Sequence, residues 1–341
     1  MRKFFFWQIL VATLFANVYG AVQGAYYNHF AIELDYVFMR RSNSHNKHMV
    51  AAAAGPPDAL PIADVPVDCR KALGAPLMES RDLIHDMHFN TGFSAALKIF
   101  PSIRSTWEGR YLGGLSWRGQ RARNCFANMN IDGNITQSTV DYHFASRVKS
   151  VYLSKLYTYE LNYWHHVTPR YTDHFSASWI VGLRHFDIDE KVKMYFTRAF
   201  PFGPQTSRYR LRTENNAFGL QLGGCLEYNP YHFLSWGLVA KIGGLFNRDK
   251  LRTLMLDNGN TVVVRDVDKS GSNFGYMAQV YPFLELRPTK HFFIVVNYQA
   301  LYVGRVATAD RNMIFHGDFA LLNHDGHIIY HGGAGGIQFN F

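Results

Sequence analysis

Residues 327–341 read HIIYHGGAGGIQFNF, and no other stretch narrows the folds open to this chain so far. Ile329, His331, Gly333, Gly335, Ile337, Phe339 and Phe341 share one parity, while Ile328, Tyr330, Gly332, Ala334, Gly336, Gln338 and Asn340 share the other. Alternation kept over this length belongs to a strand whose two faces meet different surroundings. The stretch stops on an aromatic residue, with Gly336, Phe339 and Phe341 spaced as Gly-x-x-aromatic-x-aromatic. A soluble domain gains little from an aromatic face at a fraying terminus. A closed barrel gains its last seam there, because the final strand pairs with the first and leaves no edge exposed.

The same pattern opens the chain. In residues 29–40, Phe30, Ile32, Leu34, Tyr36 and Phe38 alternate with Ala31, Glu33, Asp35, Val37 and Met39. A soluble sandwich would hide the aromatics and wet the acids. A transmembrane barrel sets the aromatics in lipid and the acids in its lumen. Alternating segments return at residues 88–100, 107–117, 154–166, 174–190, 215–228, 236–247, 274–287 and 292–302. In the second of these, Trp107, Gly109, Tyr111, Gly113, Leu115 and Trp117 take the outward parity. The inward parity collects Glu33, Asp35, Lys98, Glu108, Arg110, Glu160, Asn162, Arg184, Gln221, Lys241, Glu285 and Arg287. These residues would either line a selective pore or pair with one another and fill a narrow barrel. The near balance of acids and bases favours pairing, because an unpaired charge in a poorly hydrated interior costs several kcal/mol. A wet lumen would also make an arginine milder at Thr158, on the inward face, than at Tyr159, on the lipid face.

Short turns near residues 101–104, 168–170, 229–232 and 288–290 alternate with long loops at about 41–85, 118–141, 199–206 and 307–326. Asp257-Asn258-Gly259-Asn260 adds a hairpin turn signal. The alternation predicts an all-β, antiparallel up-and-down transmembrane β-barrel with short turns and both termini on the periplasmic side. About ten strands are expected, or twelve if residues 135–153 or 190–212 hide another hairpin.

A chain of 341 residues is accommodated by one barrel domain. Its 20 Tyr and 27 Phe are the kind of excess that interface girdles use, and a charged content of 18% is low for a soluble surface. Residues 1–24 read as a secretory signal peptide: Arg2-Lys3, an apolar run over 4–18, then small residues offering cleavage near 20–24. Residues 25–341 are then expected to form the mature barrel. The net charge of +9 suits an anionic neighbour such as lipid headgroups or surface polysaccharide. The bases form no dense block or recognisable module, which argues against nucleic acid. An oxidising compartment permits a disulfide between Cys69 and Cys125, although spacing does not decide whether they meet, and Cys225 is the odd one out. No metal or cofactor is expected: His165 and His166 point to opposite faces of one strand, and no closed ligand set is visible.

The ending Gly336, Phe339, Phe341 resembles the C-terminal signal read by barrel-assembly machinery, which with outer-membrane lipids makes the expected partners. Tyr159-Glu160-Leu161-Asn162, then Gly182-Leu183-Arg184-His185-Phe186 with Glu190, then Asn216 and Gly219-Leu220-Gln221-Leu222-Gly223, resemble the putative β-barrel porin family 7 of bacterial outer membranes. Residues 330–336, YHGGAGG, are similar to that family's closing strand. His185 stands where an aromatic is more usual, and Phe341 where Trp is also common. The resemblance implies an outer-membrane barrel of presumed pore function, passing small solutes, and brings no catalytic residues.

The chain is therefore expected in a bacterial outer membrane, as a porin-like or structural barrel that is not an enzyme. The rival readings are an adhesin acting through its external loops and a surface enzyme. For the latter, Asp86 with His88, Asp187 with Asp189 and His316 with Asp318 supply acid and His pairs at the rim.

Overall fold

The computed structural model describes residues 29–42, 45–52, 74–132, 140–168, 174–198, 204–315 and 321–341. The expected signal peptide, Cys69, His316 and Asp318 lie outside them. Among the described residues twelve strands form: β1 (Phe30–Ser42), β2 (His48–Ala52), β3 (Pro76–Glu79), β4 (Asn90–Ser102), β5 (Ser105–Ile131), β6 (Ala145–His166), β7 (Phe175–Arg198), β8 (Gln205–Tyr231), β9 (Leu234–Asp257), β10 (Val262–Leu286), β11 (Phe292–Val306) and β12 (Gly326–Asn340). One short helix, α1 (Ser80–His85), precedes β4.

Ten of the strands, β1 and β4–β12, close into an antiparallel ring with β1 seated between β12 and β4. The ends meet at the seam. His29 N donates to the Phe341 carbonyl at 2.6 Å, Phe341 N donates to the Phe30 carbonyl at 2.9 Å, and the two phenyl rings stack at 4.9 Å. The segments from 145 to 153 and from 190 to 212 add no hairpin; they lengthen β6, β7 and β8. The row of partners through Leu34 reaches Phe218 by way of β4–β7, and the row through Tyr36 reaches Tyr228 by way of β12–β9. Leu34 and Tyr36 are two residues apart, so one circuit shifts the register by about 12 residues, which tilts the strands of a ten-stranded ring by about 40°.

Outward exposure follows the expected parity. On β1, Ile32, Leu34, Tyr36 and Phe38 are exposed, while Ala31, Glu33, Asp35, Val37 and Met39 are buried. On β8 the exposed apolar run goes from Phe218 to Tyr228 and on β9 from Trp236 to Phe246. Ten residues at about 3.4 Å each, tilted by about 40°, give a height of about 25 Å, the thickness of the apolar band of an outer-membrane barrel.

The wall does not stop at that height. Strands β5–β10 run for 22–27 residues, whereas β1, β4, β11 and β12 run for 13–15. Six strands therefore rise beyond the band as an extramembrane wall with a notch over the four short ones. This corrects the loop expected at 118–141, where β5 continues as strand to Ile131. The expected loop at 41–85 also holds structure: β2 pairs with both β3 and the top of β5, and α1 packs against β5. Gly119 makes that packing possible, since a Cβ there would stand 1.7 Å from the Leu83 carbonyl oxygen.

Leu115 and Trp117 correct the outward face read for residues 107–117. Both are buried in the lumen, and the Trp117 indole donates to the Met39 carbonyl at 2.9 Å. The cause is a β-bulge. Between Leu112 and Leu115 β5 advances one residue more than β6, and Gly114 sits at φ +78°. An extra residue in one strand reverses every face beyond it. Gly114→Val is expected to lower stability by about 1–3 kcal/mol, and Gly114→Asn by less, because Asn tolerates the left-handed conformation. Urea unfolding of the lipid-refolded barrel measures this. Equal losses would contradict the conformational demand at Gly114.

Candidate functional site: the filled lumen

All twelve inward polar residues named from the sequence line the lumen, and ten of them join one network. Lys98 bonds Gln338 at 2.7 Å and Glu33 at 2.5 Å, and Arg110 reaches Glu33 at 2.7 Å, Asp35 at 3.3 Å and Glu108 at 3.3 Å. The Asn162 amide donates to Glu108 at 3.0 Å and to Glu160 at 3.1 Å. Glu160 gathers Lys241 at 2.7 Å, Arg184 at 3.2 Å and the Gln221 amide at 3.0 Å. Arg184 donates onward to Gln279 at 2.5 Å, and Gln279 to Gln299 at 3.0 Å. One hydrogen-bonded chain thus touches every strand of the ring, from Gln338 on β12 round to Gln299 on β11. Four acids (Glu33, Asp35, Glu108, Glu160) face four bases (Lys98, Arg110, Arg184, Lys241), all on inward positions of their strands.

Glu285 and Arg287 lie below it, at the end of the barrel that carries the short turns. The Arg287 guanidinium holds Glu285 at 2.7 Å, Glu227 at 2.8 Å and Ser235 at 2.6 Å. Among the described residues, cavities of about 30 Å³ beside Gln279 and Asn297 and about 70 Å³ beside Trp164 and Phe283 flank the network. Such volumes hold a few waters, not a column of solute.

Above the network the lumen turns apolar, which the sequence reading did not anticipate. Leu115, Trp117, Leu156, Phe186, Ile188 and Met194 pack there with Leu83 and Ile84 of α1. One ion pair is buried among them: Arg41 meets Glu190 at 2.7 Å, and the Tyr152 hydroxyl donates to Glu190 at 2.7 Å. The chain after β11 then folds inward. Residues 307–310 are fully buried, Ala309 N donates to Glu190 at 2.9 Å, and Ala307 exchanges two hydrogen bonds with the Asn215 side chain at 2.8 and 2.9 Å. Phe315 packs on Tyr209 with centroids 5.4 Å apart, and Arg265 donates to the Ile314 carbonyl at 2.6 Å. The expected external loop at 307–326 is, over Ala307–Phe315, a plug.

Asn215 falls on the inward parity of residues 215–228 read from the sequence, whereas Arg41 and Glu190 were not among the inward residues singled out. Their signal was present: Arg41 continues the inward parity of β1, and Glu190 that of Arg184.

Of the acid and His pairs considered for a surface enzyme, His316 and Asp318 lie outside the described residues, and the acids of the other two are placed as follows. Asp86 pairs with Arg121 at 2.6 Å. Asp187 and Asp189 stand on the outer wall, where Arg212 grips Asp189 through two hydrogen bonds of 2.9 Å. Burial opposes ionisation of Asp189, but Arg212 and Lys191 outweigh it and hold its carboxyl below the usual range. A different pair forms at the mouth, His324 Nδ1 with the buried Asp249 carboxylate at 2.5 Å. Cys125 is disulfide-bonded and lies on β5, not in a loop, and Cys225 is buried on β8.

No protein-family model matches this chain, and no curated protein matches it in sequence. The resemblance to porin family 7 therefore stands on its short motifs alone. Among solved structures, the chain matches the outer membrane protease OmpT from Escherichia coli at a TM-score of 0.50 and 9% identity, over 94% of this chain and 99% of that one. A FadL homologue from Pseudomonas aeruginosa matches at a TM-score of 0.29 and 9% identity, over 92% of this chain and 90% of that one. OprG from the same organism matches at 0.27 and 8%, over 94% and 100%. With its ring of ten strands and outward apolar band, the protein is a bacterial outer-membrane β-barrel.

The OmpT match also corrects one expectation. The chain was read as not an enzyme, yet its fold is one that an outer membrane protease uses. At 9% identity the likeness shows the fold alone, so it removes the ground for excluding catalysis without assigning any.

Proposed function

We propose that this protein is a sealed barrel that passes no solute and works through the part standing outside the membrane. The observation that carries this is the double closure of the lumen, by a polar network joined to all ten strands and by the buried plug above it. Of the two expectations, a porin-like pore from the family resemblance and a structural barrel from the paired inward charges, the closure supports the second. The tall wall of β5–β10 supports an external site of action, because strands of 22–27 residues exceed what a membrane crossing needs. Gly336, Phe339 and Phe341 at the closing seam fit an assembly signal read before the barrel shuts. Vesicles carrying the refolded protein and loaded with a small neutral sugar are expected to lose it no faster than protein-free vesicles. Rapid efflux would overturn the reading.

A further inference from the structure

The outer face of the extramembrane wall carries an arrangement that sheets ordinarily avoid. Lys191 on β7 is directly opposite Arg212 on β8, and Arg212 is directly opposite Arg252 on β9. Two residues further from the membrane, Lys193 is directly opposite Arg210. All five alternate with buried inward neighbours and so share the outward face. Like charges directly across a ladder destabilise the pair. Carboxylates relieve part of this: Asp189 touches Lys191 and Arg212, Glu214 touches Arg212, and Asp268 touches Arg252 at 3.0 Å. Lys193 and Arg210 have no acidic partner among the described residues.

Height decides what could neutralise them. Phe218 and Phe246 are paired at the top of the apolar band, and the five bases lie six or eight residues above that level along their strands. At about 3.4 Å per residue and a tilt of about 40°, they stand about 16–21 Å above the hydrocarbon. A phospholipid headgroup layer is only about 5–8 Å thick on each side. The belt therefore overlooks the phospholipid headgroups.

We propose that this belt binds the phosphorylated oligosaccharide of a membrane-anchored glycolipid in the outer leaflet. Such a ligand brings several phosphates to the height of the belt on a tether that keeps its local concentration high. The inference does not depend on whether the lumen conducts.

The test uses the full barrel in uncharged detergent, titrated with a deacylated, phosphorylated lipopolysaccharide core oligosaccharide. Binding is expected, weakening as salt rises because exposed charges are screened. The double variant Lys193→Gln/Arg210→Gln is expected to lose at least about tenfold in affinity, since each removed cation contact is worth about a factor of five or more at such a site. Its unfolding midpoint should be unchanged or raised, because a repulsive pair has gone, and this separates lost binding from lost folding. The proposal is overturned if the variant binds as well as the parent. It is equally overturned if the dephosphorylated oligosaccharide binds as well as the phosphorylated one. Two further results would reassign the surface: heparin competing equally in parent and variant would make it a generic polyanion face, and vesicles of phosphatidylglycerol displacing the oligosaccharide would make it a headgroup face.

Discussion

Glu160→Ala is expected to cost the folded barrel about 3–5 kcal/mol, the usual loss when one partner of a buried ion pair is removed. Glu160 is the acidic partner of both Lys241 and Arg184, at 2.7 and 3.2 Å, and each of those side chains is 1% exposed. Among the described residues neither base is in direct contact with another acid, although Glu108 also acts on Lys241 through space. Deleting the carboxylate leaves two cations in a packed interior and removes one acceptor each from the amides of Asn162 and Gln221, which donate to the same oxygen and keep only Glu108 and the Asn162 carbonyl oxygen. Replacing the whole triad should behave differently. Glu160→Leu with Lys241→Met and Arg184→Met removes every charge together and is expected to fall within about 1–2 kcal/mol of the parent, since desolvation and attraction largely cancel in such groups. Urea titration of the protein refolded into lipid vesicles reads both. A loss below about 1 kcal/mol for Glu160→Ala would mean that water reaches the site, and the lumen would not be filled.

The second large effect reverses an expectation drawn from alternation alone. A wet lumen makes Thr158→Arg the mild member of the pair with Tyr159→Arg. The structure puts Thr158 at 1% exposure, accepting a hydrogen bond from Arg184 Nε at 3.2 Å. A second guanidinium there meets Arg184 with no spare acid nearby, and the cost should reach about 3–5 kcal/mol. Tyr159 is 40% exposed and second from the top of the outward apolar run on β6, so an arginine there can extend to the interface. Its cost should stay below the about 2–4 kcal/mol of a midplane site. The same unfolding titration ranks the two. Tyr159→Arg proving the worse would mean a hydrated lumen at this depth.

These reversals mark how far the sequence could be read. Within the membrane, every outward residue faces hydrocarbon, so parity alone separates Phe30, Ile32 and Leu34 from Glu33 and Asp35. Above the membrane the outer face meets water. Arg118 and Gln120 look outward from a strand that carries no apolar stripe, and the segment reads as a loop. The bulge at Gly114 left Leu115 and Trp117 in step with the lipid face although both turn inward, because alternation cannot register an inserted residue. The plug was illegible for another reason. Its burial rests on contacts such as Ala307 with Asn215, between residues far apart in the chain, and no local period encodes them. The inner network was legible as a set of residues but not as a set of pairs. Partners depend on register, and register is fixed by all ten strands together.

The filled lumen is tested most directly by single-channel recording of the purified, refolded protein in a planar bilayer at neutral pH. The predicted trace is flat under both polarities, with insertion verified by heat-modifiable mobility of the same sample. Steady ohmic steps from the unmodified protein would contradict a barrel closed by its own side chains and by residues 307–315.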